Sequence, residues 1–303
     1  MPDHTDIYYE QYALATARGP AASRSDMTAI SDAIYRSIAW AGGTIGVLVP
    51  VAILAFLLWH GLAALTPQFV LSPPLGNSLD GRGGIWPAIK GTLALGGLGL
   101  AIALPLGIGG GIYLAEFNRS PVIERLGRFC IEALAAVPGL VYSMFGYALL
   151  VVALKLRISL LAGGVTLAFV MLPLILIGTH EALRGVSREL RDAAHALGVS
   201  HAYSLRRVLW PVAWPAICTA IVLAAVHALE AAAPLLYTAA TVFTKEPLGL
   251  LRPVMALPTH LYFVTSEIGA TAYAFGTALV LAILILIVSA VGVGFSKRRD
   301  IES

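Results

Sequence analysis

Six stretches of this chain are each long and apolar enough to cross a lipid bilayer as a helix, and no other feature restricts the fold as much. A hydrocarbon core about 30 Å thick is spanned by roughly 20 predominantly apolar residues in helical conformation. The first stretch runs from about Ser37 to Ala64 and the second from Trp86 to Leu114. A third begins near Ile131 and a fourth near Ser159, separated by the polar break Lys155-Leu156-Arg157. The fifth runs from Pro211 to Thr238 and the last from Ile268 to Phe295. Gly and Pro inside these runs, as at Leu104-Pro105 and Val137-Pro138-Gly139, are compatible with membrane helices, because neighbouring helices and polar side chains satisfy the freed backbone groups. The expected fold class is an all-α membrane protein with six transmembrane helices.

Charge agrees with this reading. Only 12% of the 303 residues are charged and mean hydropathy is +0.83, whereas a soluble domain carries roughly 25% charged residues. The net charge of +3 is too small to argue for nucleic acid. Cys130 and Cys218 both sit in apolar sequence and read as small buried side chains, since metal or disulfide frameworks need more cysteines at closer spacing. The first 35 residues contain no apolar run that could serve as a signal-peptide core, so insertion is expected through the first span. They read as a polar arm with a short helix around Asp26 to Tyr35.

Basic residues set the orientation. With the N-terminus in the cytoplasm, 14 Lys and Arg fall on inside segments and 6 on outside ones; the opposite topology inverts the ratio. Both termini are then cytoplasmic. The expected organisation is a cytoplasmic arm (1–35), a first span (36–64), an outer loop (65–85), a core of five spans (86–296) and a cytoplasmic tail (297–303). The outer loops Thr66 to Ile85 and Ala240 to Glu267 are long enough to offer a docking surface outside the membrane.

The most informative cytoplasmic segment, within residues 181–210, lies between spans four and five. Ser187 to Gly198 reads as a short helix with a Ser cap, Glu189 in its first turn and a Gly stop. Ser200 opens a second short helix, Ala202 to Trp210, set at an angle, and Pro211 begins the next span. Ala193, Ala194, Ala196 and Gly198 leave the elbow with little side-chain bulk, which suits close approach by a partner protein.

Here the chain resembles the permeases of bacterial ABC importers, whose cytoplasmic loop has the form Glu-Ala-Ala, three residues, Gly, nine residues, Ile, one residue, Leu-Pro. Asp192, Ala193, Ala194, Gly198, Val208, Trp210 and Pro211 keep the whole spacing, with Asp for Glu, Val for Ile and Trp for Leu. From Gly91 to about Ala239 the chain is similar to the PstA-type permeases of phosphate-specific importers. The supporting segments are Gly110-Gly-Ile-Tyr-Leu-Ala-Glu-Phe117, Val137-Pro-Gly-Leu-Val141, Gly146-Tyr-Ala-Leu-Leu150, Glu181-Ala-Leu-Arg184 and Ala233-Pro-Leu-Leu-Tyr-Thr-Ala239.

The resemblance implies a type I importer permease with a cytoplasmic coupling helix, which docks into a groove on an ATPase. It implies ATPase-coupling roles for Asp192, Ala193, Ala194, Gly198, Val208 and Pro211. The implied partners are a second, PstC-like permease, a PstB-like ATPase dimer and a PstS-like extracytoplasmic phosphate-binding protein. ATP and Mg would sit on the ATPase, and this chain would hold no cofactor, no metal and no catalytic residue.

Two departures bear on cargo. Ile177 stands where similar permeases carry Arg. Anchoring on Ala233-Pro234-Leu235-Leu236 places His227 at a second Arg, and Glu230-Ala231-Ala232 at Gly-Glu-Thr. The acid is displaced by one residue, about 100° on a helix. Ionisable groups inside a span are costly and therefore functional candidates. His227 and Glu230, three apart on one helix face, admit two readings: they line the translocation pathway, or they satisfy each other or a partner subunit at a helix interface. His180 and Glu181 read as interfacial, and Glu132 as meeting headgroups or a loop Arg. His4, His60, His195, His201 and His260 show no metal-ligand spacing and read as surface or interfacial residues.

Other classes lack their residues. No Gly-rich phosphate loop is present, since none of the four lysines follows a Gly. An intramembrane hydrolase lacks both His-Glu-x-x-His and a pair of buried aspartates. An ion-coupled secondary carrier would be expected to show an internal repeat, and would not need the elbow loop.

Overall fold

The computed structural model describes residues 21–74, 83–118, 120–241, 249–268 and 271–297. His4, Arg119, Lys245 and the basic tail at Arg298 and Arg299 lie outside them. Two compact units result, Met1–Phe56 and Leu57–Ser303.

In the first unit, helix α1 (Ala21–Gly61) begins well before the expected span, and its apolar stretch runs Ile34–Ala64. The polar arm thus feeds into the span as one helix instead of forming a separate short one.

In the second unit, α2 (Pro67–Leu71) is capped by Thr66, whose Oγ1 accepts from the Phe69 N–H at 3.1 Å. Helix α3 (Trp86–Ile112) ends in a π turn, Tyr113–Phe117. Then come α4 (Pro121–Ala135) and α5 (Gly139–Gly146) with its π continuation Tyr147–Ala153. Helix α6 spans Leu160–Arg184, α7 Arg188–Ala196 and α8 His201–Ser204, the last continuing through a π turn (Leu205–Leu209) into α9, Trp210–Glu230. A 3₁₀ turn at Ala233–Leu235 precedes α10 (Leu257–Phe263) and α11 (Thr271–Lys297). Prolines 87, 121 and 258 fall in the first turn of their helices, where the missing N–H costs nothing, whereas Pro211 follows the π turn inside a longer helix.

Among the described residues five helices are long and apolar enough to span a bilayer, and the bent pair α4–α5 makes a sixth if it crosses as one. The third span is not the single run expected from Ile131. Its chain turns by 95° between Ala135 and Gly139. Helix α4 is amphipathic, and the Cys130 thiol expected to be buried is exposed on it, whereas Cys218 is buried. The fifth span also differs, stopping at Glu230 instead of continuing to Thr238.

The core is centred on α3 against α6. Gly91, Leu95, Gly99, Ala103, Gly107 and Gly111 recur every four residues along the buried face of α3. A Cβ on Gly107 would stand 2.8 Å from Ile175, and one on Gly111 2.6 Å from Thr179. Small residues let helix backbones approach closely where lipid offers no hydrophobic drive to associate.

The second outer loop closes over the start of α6. The N–H groups of Ser159, Leu160 and Leu161 donate to the carbonyls of Thr238, Arg252 and Leu250, each at 2.9 Å, satisfying donors a helix start leaves orphaned. The Leu257 N–H donates to Thr92 Oγ1 on α3 at 2.8 Å. His260, expected at the surface, is fully buried beneath this loop, its ring 5.5 Å from Tyr273 and neither nitrogen hydrogen-bonded. Burial lowers its pKa to about 4.

Two outcomes follow. Gly91→Ala should destabilise the detergent-purified chain by roughly 1–3 kcal/mol, because its Cβ would meet the Met255 carbonyl oxygen at 1.9 Å; Gly97→Ala, with open space, should leave the melting temperature unchanged. The folded chain keeps His260 neutral down to pH about 4, while the unfolded chain takes up a proton near 6.5. Stability is therefore complete above about pH 6.5 and falls by up to about 3 kcal/mol as pH drops to about 4. Denaturation at pH 7.5 and 4.5 should show this loss in the native chain and a smaller one in His260→Phe.

Candidate functional site: a coupling elbow and a central cavity

The elbow forms much where the sequence places it. Helix α7 ends at Ala196, Leu197 closes it, and Gly198 has φ +67°. Glycine takes that left-handed conformation without the Cβ clash other residues meet, so it ends the helix and reverses the chain. Ser187 precedes the helix but makes no side-chain capping bond, whereas Ser200 Oγ accepts from the Tyr203 N–H at 3.3 Å. The second arm is not a separate short helix, because α8 runs unbroken through the π turn into α9, giving one helix from His201 to Glu230.

The predicted coupling residues divide by exposure. Asp192, Ala193 and Gly198 are exposed and Leu197 is 80% exposed, so the tip presents a small-residue surface with one large apolar side chain. Ala194 is buried, and Val208 packs against the cluster of Leu183, Val186, Leu209, Ala213 and Ile217. Pro211 is exposed on the helix beyond. The Asp192–Ala193 edge therefore faces outward, while Ala194 and Val208 hold the elbow to the body.

Sequence reasoning missed how the elbow is fastened. Glu116, in the π turn ending α3, has a side chain only 2% exposed. Its Oε1 accepts from Arg191 Nη1 at 2.7 Å, and its Oε2 lies 3.7 Å from His201 Nε2. Arg191 Nη2 donates to the Leu183 carbonyl near the end of α6, and the His201 ring meets Phe117 edge-to-face at 5.3 Å. His195 is exposed on the elbow and His60 stacks on Phe275.

A cavity of about 240 Å³ opens where two interrupted elements meet the continuous helix α6. Its walls come from the α4–α5 bend, from α6 around Pro173, and from the segment after α9 that includes Ala231–Pro234. His227 lines it; Glu230 sits beside it, its Oε1 3.3 Å from His227 Nδ1, with both side chains 54% exposed. The pair expected from three-residue spacing therefore forms. The displaced acid has a different geometry from the one the sequence suggested. Ala231 is already extended (φ −76°, ψ 100°), so a helical rotation does not describe the step from Glu230, and Ala231 itself lines the cavity.

Ile177 lies elsewhere, in a smaller polar recess with Glu124, Arg128, Glu132, His180 and Glu181. His180 is buried there, and Arg184 pairs with Glu124 at 3.1 Å. Among the described residues no group of His, Cys, Asp and Glu is placed to hold a metal ion.

Residues 107–300 match the family profile described as "Binding-protein-dependent transport system inner membrane component". The chain is 30% identical over 252 residues to the probable ABC transporter permease protein YqgI of Bacillus subtilis, covering 78% of this chain and 85% of that one. It is 32% identical to the probable phosphate transport system permease protein PstA of Methanocaldococcus jannaschii, covering 73% and 78%. Among solved structures it resembles a bacterial alginate ABC transporter chain (TM-score 0.58, 16% identity, 90% and 96% covered). It also resembles the MetNI methionine ABC transporter in inward-facing conformations (TM-score 0.57, 18% identity, 71% and 94% covered). At those identities the likeness is one of fold.

The cavity generates one expectation. Ala232→Phe places an aromatic ring in it and should lower substrate uptake by about tenfold or more, with the assembled complex recovered in normal amount; uptake by purified complex in liposomes checks this.

Proposed function

This chain belongs to the binding-protein-dependent transport system inner membrane components, as a PstA-type ABC permease, and we propose that its cargo is inorganic phosphate. It is a transport subunit and a multi-pass membrane protein. In this reading it is non-catalytic and binds no cofactor, with ATP and Mg held by a cytoplasmic PstB-like ATPase dimer. A second, PstC-like permease completes the pathway, and a PstS-like binding protein delivers the anion from outside. Both termini are cytoplasmic, which puts α7 and the elbow on the ATPase side.

The observation that carries the coupling role is the exposed turn at Gly198, with φ +67° and no atom within 4 Å of where a Cβ would stand. Asp192, Ala193 and Gly198 form the contact edge in this reading, with Ala194, Val208 and Pro211 fixing its approach. ATP-driven closure of the ATPase dimer then pushes on the elbow. The cavity beside His227 and Glu230 is this chain's half of the translocation pathway.

A second cargo, another small oxyanion, is favoured by one feature. Among the cavity-lining residues only His227 can carry a positive charge, and position 177 supplies Ile where similar permeases supply Arg.

The test is phosphate uptake by a strain lacking its own high-affinity importer, complemented with this chain and its encoded neighbours. Phosphate uptake that requires ATP supports the reading. ATP-dependent growth of the operon's host on another anion, without phosphate uptake, replaces the cargo and keeps the permease. Gly198→Asp should abolish uptake while the complex still assembles, since the new side chain meets open space but costs about 1–2 kcal/mol of local backbone strain. Normal uptake by that variant would remove the elbow from the coupling step.

A further inference from the structure

Glu116 stands in a segment shared with similar permeases, Gly110 to Phe117, that the transport reading leaves without a role. Its carboxylate is the most deeply buried partner in any ion pair among the described residues. A buried carboxylate is costly unless its oxygens are matched by charged donors. The contacts come from both sides of the elbow: Arg191, from the helix before Gly198, donates to one oxygen, and the His201 ring, from the helix after it, lies 3.7 Å from the other. The Arg191 guanidinium is held at a second point by the Leu183 carbonyl at the end of α6, which also accepts from the Val186 N–H. Between the two fastened positions the chain is largely exposed, from Asp192 to Ser200, with Ala194 buried.

We propose that Glu116 is the positioning residue that fastens both arms of the coupling elbow to the end of α3, so that force on the elbow tip reaches α3 through this one carboxylate. The proposal rests on the reading of Gly198 and its neighbours as the ATPase contact. Helix α3 packs along α6, and α6 supplies Val170, Pro173 and Leu174 to the cavity wall. A displacement of the elbow that keeps the Glu116 pairs intact must therefore shift α3 or bend its π turn. With these contacts broken, the elbow can follow the ATPase while α3 stays behind. The exposed Arg184–Glu124 pair, at 48% and 35% side-chain exposure, offers no such path, because solvent competes for both partners.

The experiment uses the whole importer reconstituted in liposomes with its loaded binding protein, and reads cargo moved per ATP hydrolysed. Glu116→Gln keeps shape and removes charge; it should lower cargo per ATP by about tenfold, within the usual range of site-to-site coupling. Basal hydrolysis should persist. Glu116→Asp should recover part of the loss, and Glu124→Gln should have no effect. Hydrogen exchange of amides 188–204 should quicken in Glu116→Gln, with the amides of α3 and α6 unchanged. Should Glu116→Gln fail to assemble, Arg191→Lys, which keeps the charge and loses the fork, is read in the same two assays with the same expectations.

Unchanged cargo per ATP in the assembled variant overturns the proposal. If Gly198→Asp uncouples transport in the same preparation, that result sinks the Glu116 role alone. If Gly198→Asp also transports normally, the elbow reading fails with it.

Discussion

Every backbone N–H and C=O inside a membrane must find a partner within the protein, and where this chain interrupts two of its spans, side-chain hydroxyls supply some of those partners. At the bend between α4 and α5, the Tyr142 hydroxyl donates to the Leu134 carbonyl at 2.7 Å. After α9, the Tyr237 N–H donates to Ser143 Oγ at 3.2 Å, so one interruption repairs the other. Thr238 Oγ1 donates to the Pro234 carbonyl at 2.9 Å, and the Ala239 N–H bonds to the Leu235 carbonyl at 3.1 Å. The cavity beside His227 exists because these hydroxyls make irregular backbone tolerable there. Straight helices through the same residues would leave no such opening.

A similar dependence joins the outer loop to the core. The close approach of α3 and α6 requires the small residues every fourth position. The start of α6 then offers three N–H groups that only the loop carbonyls satisfy. Thr92 links the loop to α3 directly, its hydroxyl donating to the Ala88 carbonyl while accepting from the Leu257 N–H. His260 is buried as a result of that docking, with nothing in its own surroundings in the sequence to require it. The loop is thus part of the folded body at residues 249–257.

Much of the architecture was legible as runs of apolar residues, because span length is a direct demand of bilayer thickness. The elbow was legible for another reason: Gly198 and Ser200 carry local backbone chemistry that tertiary contacts had only to confirm. Where reading failed, composition was ambiguous or the decisive contact was remote. Ala231-Ala232-Ala233 looks like helix, and only the structure ends α9 at Glu230. The run from Val122 to Ala135 contains enough apolar residues to suggest the beginning of a span, but they fall on one face of a helix that turns sharply at Pro138. Cys130 is exposed on that amphipathic helix. The π turn at Leu205–Leu209 keeps α8 in line with α9, which no residue there announces. Glu116 was visible as a charge ending an apolar run; its partner, 75 residues away, was not.

The continuity of α8 with α9 has a mechanical consequence. From His201 to Glu230 the helix holds 30 residues, about 45 Å of rod at 1.5 Å per residue. One end carries His201 at the elbow, and the other carries His227 at the cavity. A tilt of about 5° about the His201 end would sweep the far end through about 4 Å. Such a rod would act as a gear, trading a small angular stroke at the elbow for a larger linear one at the cavity. Pro211 and Pro215, both within the rod, each remove a backbone hydrogen bond and so mark where it can bend.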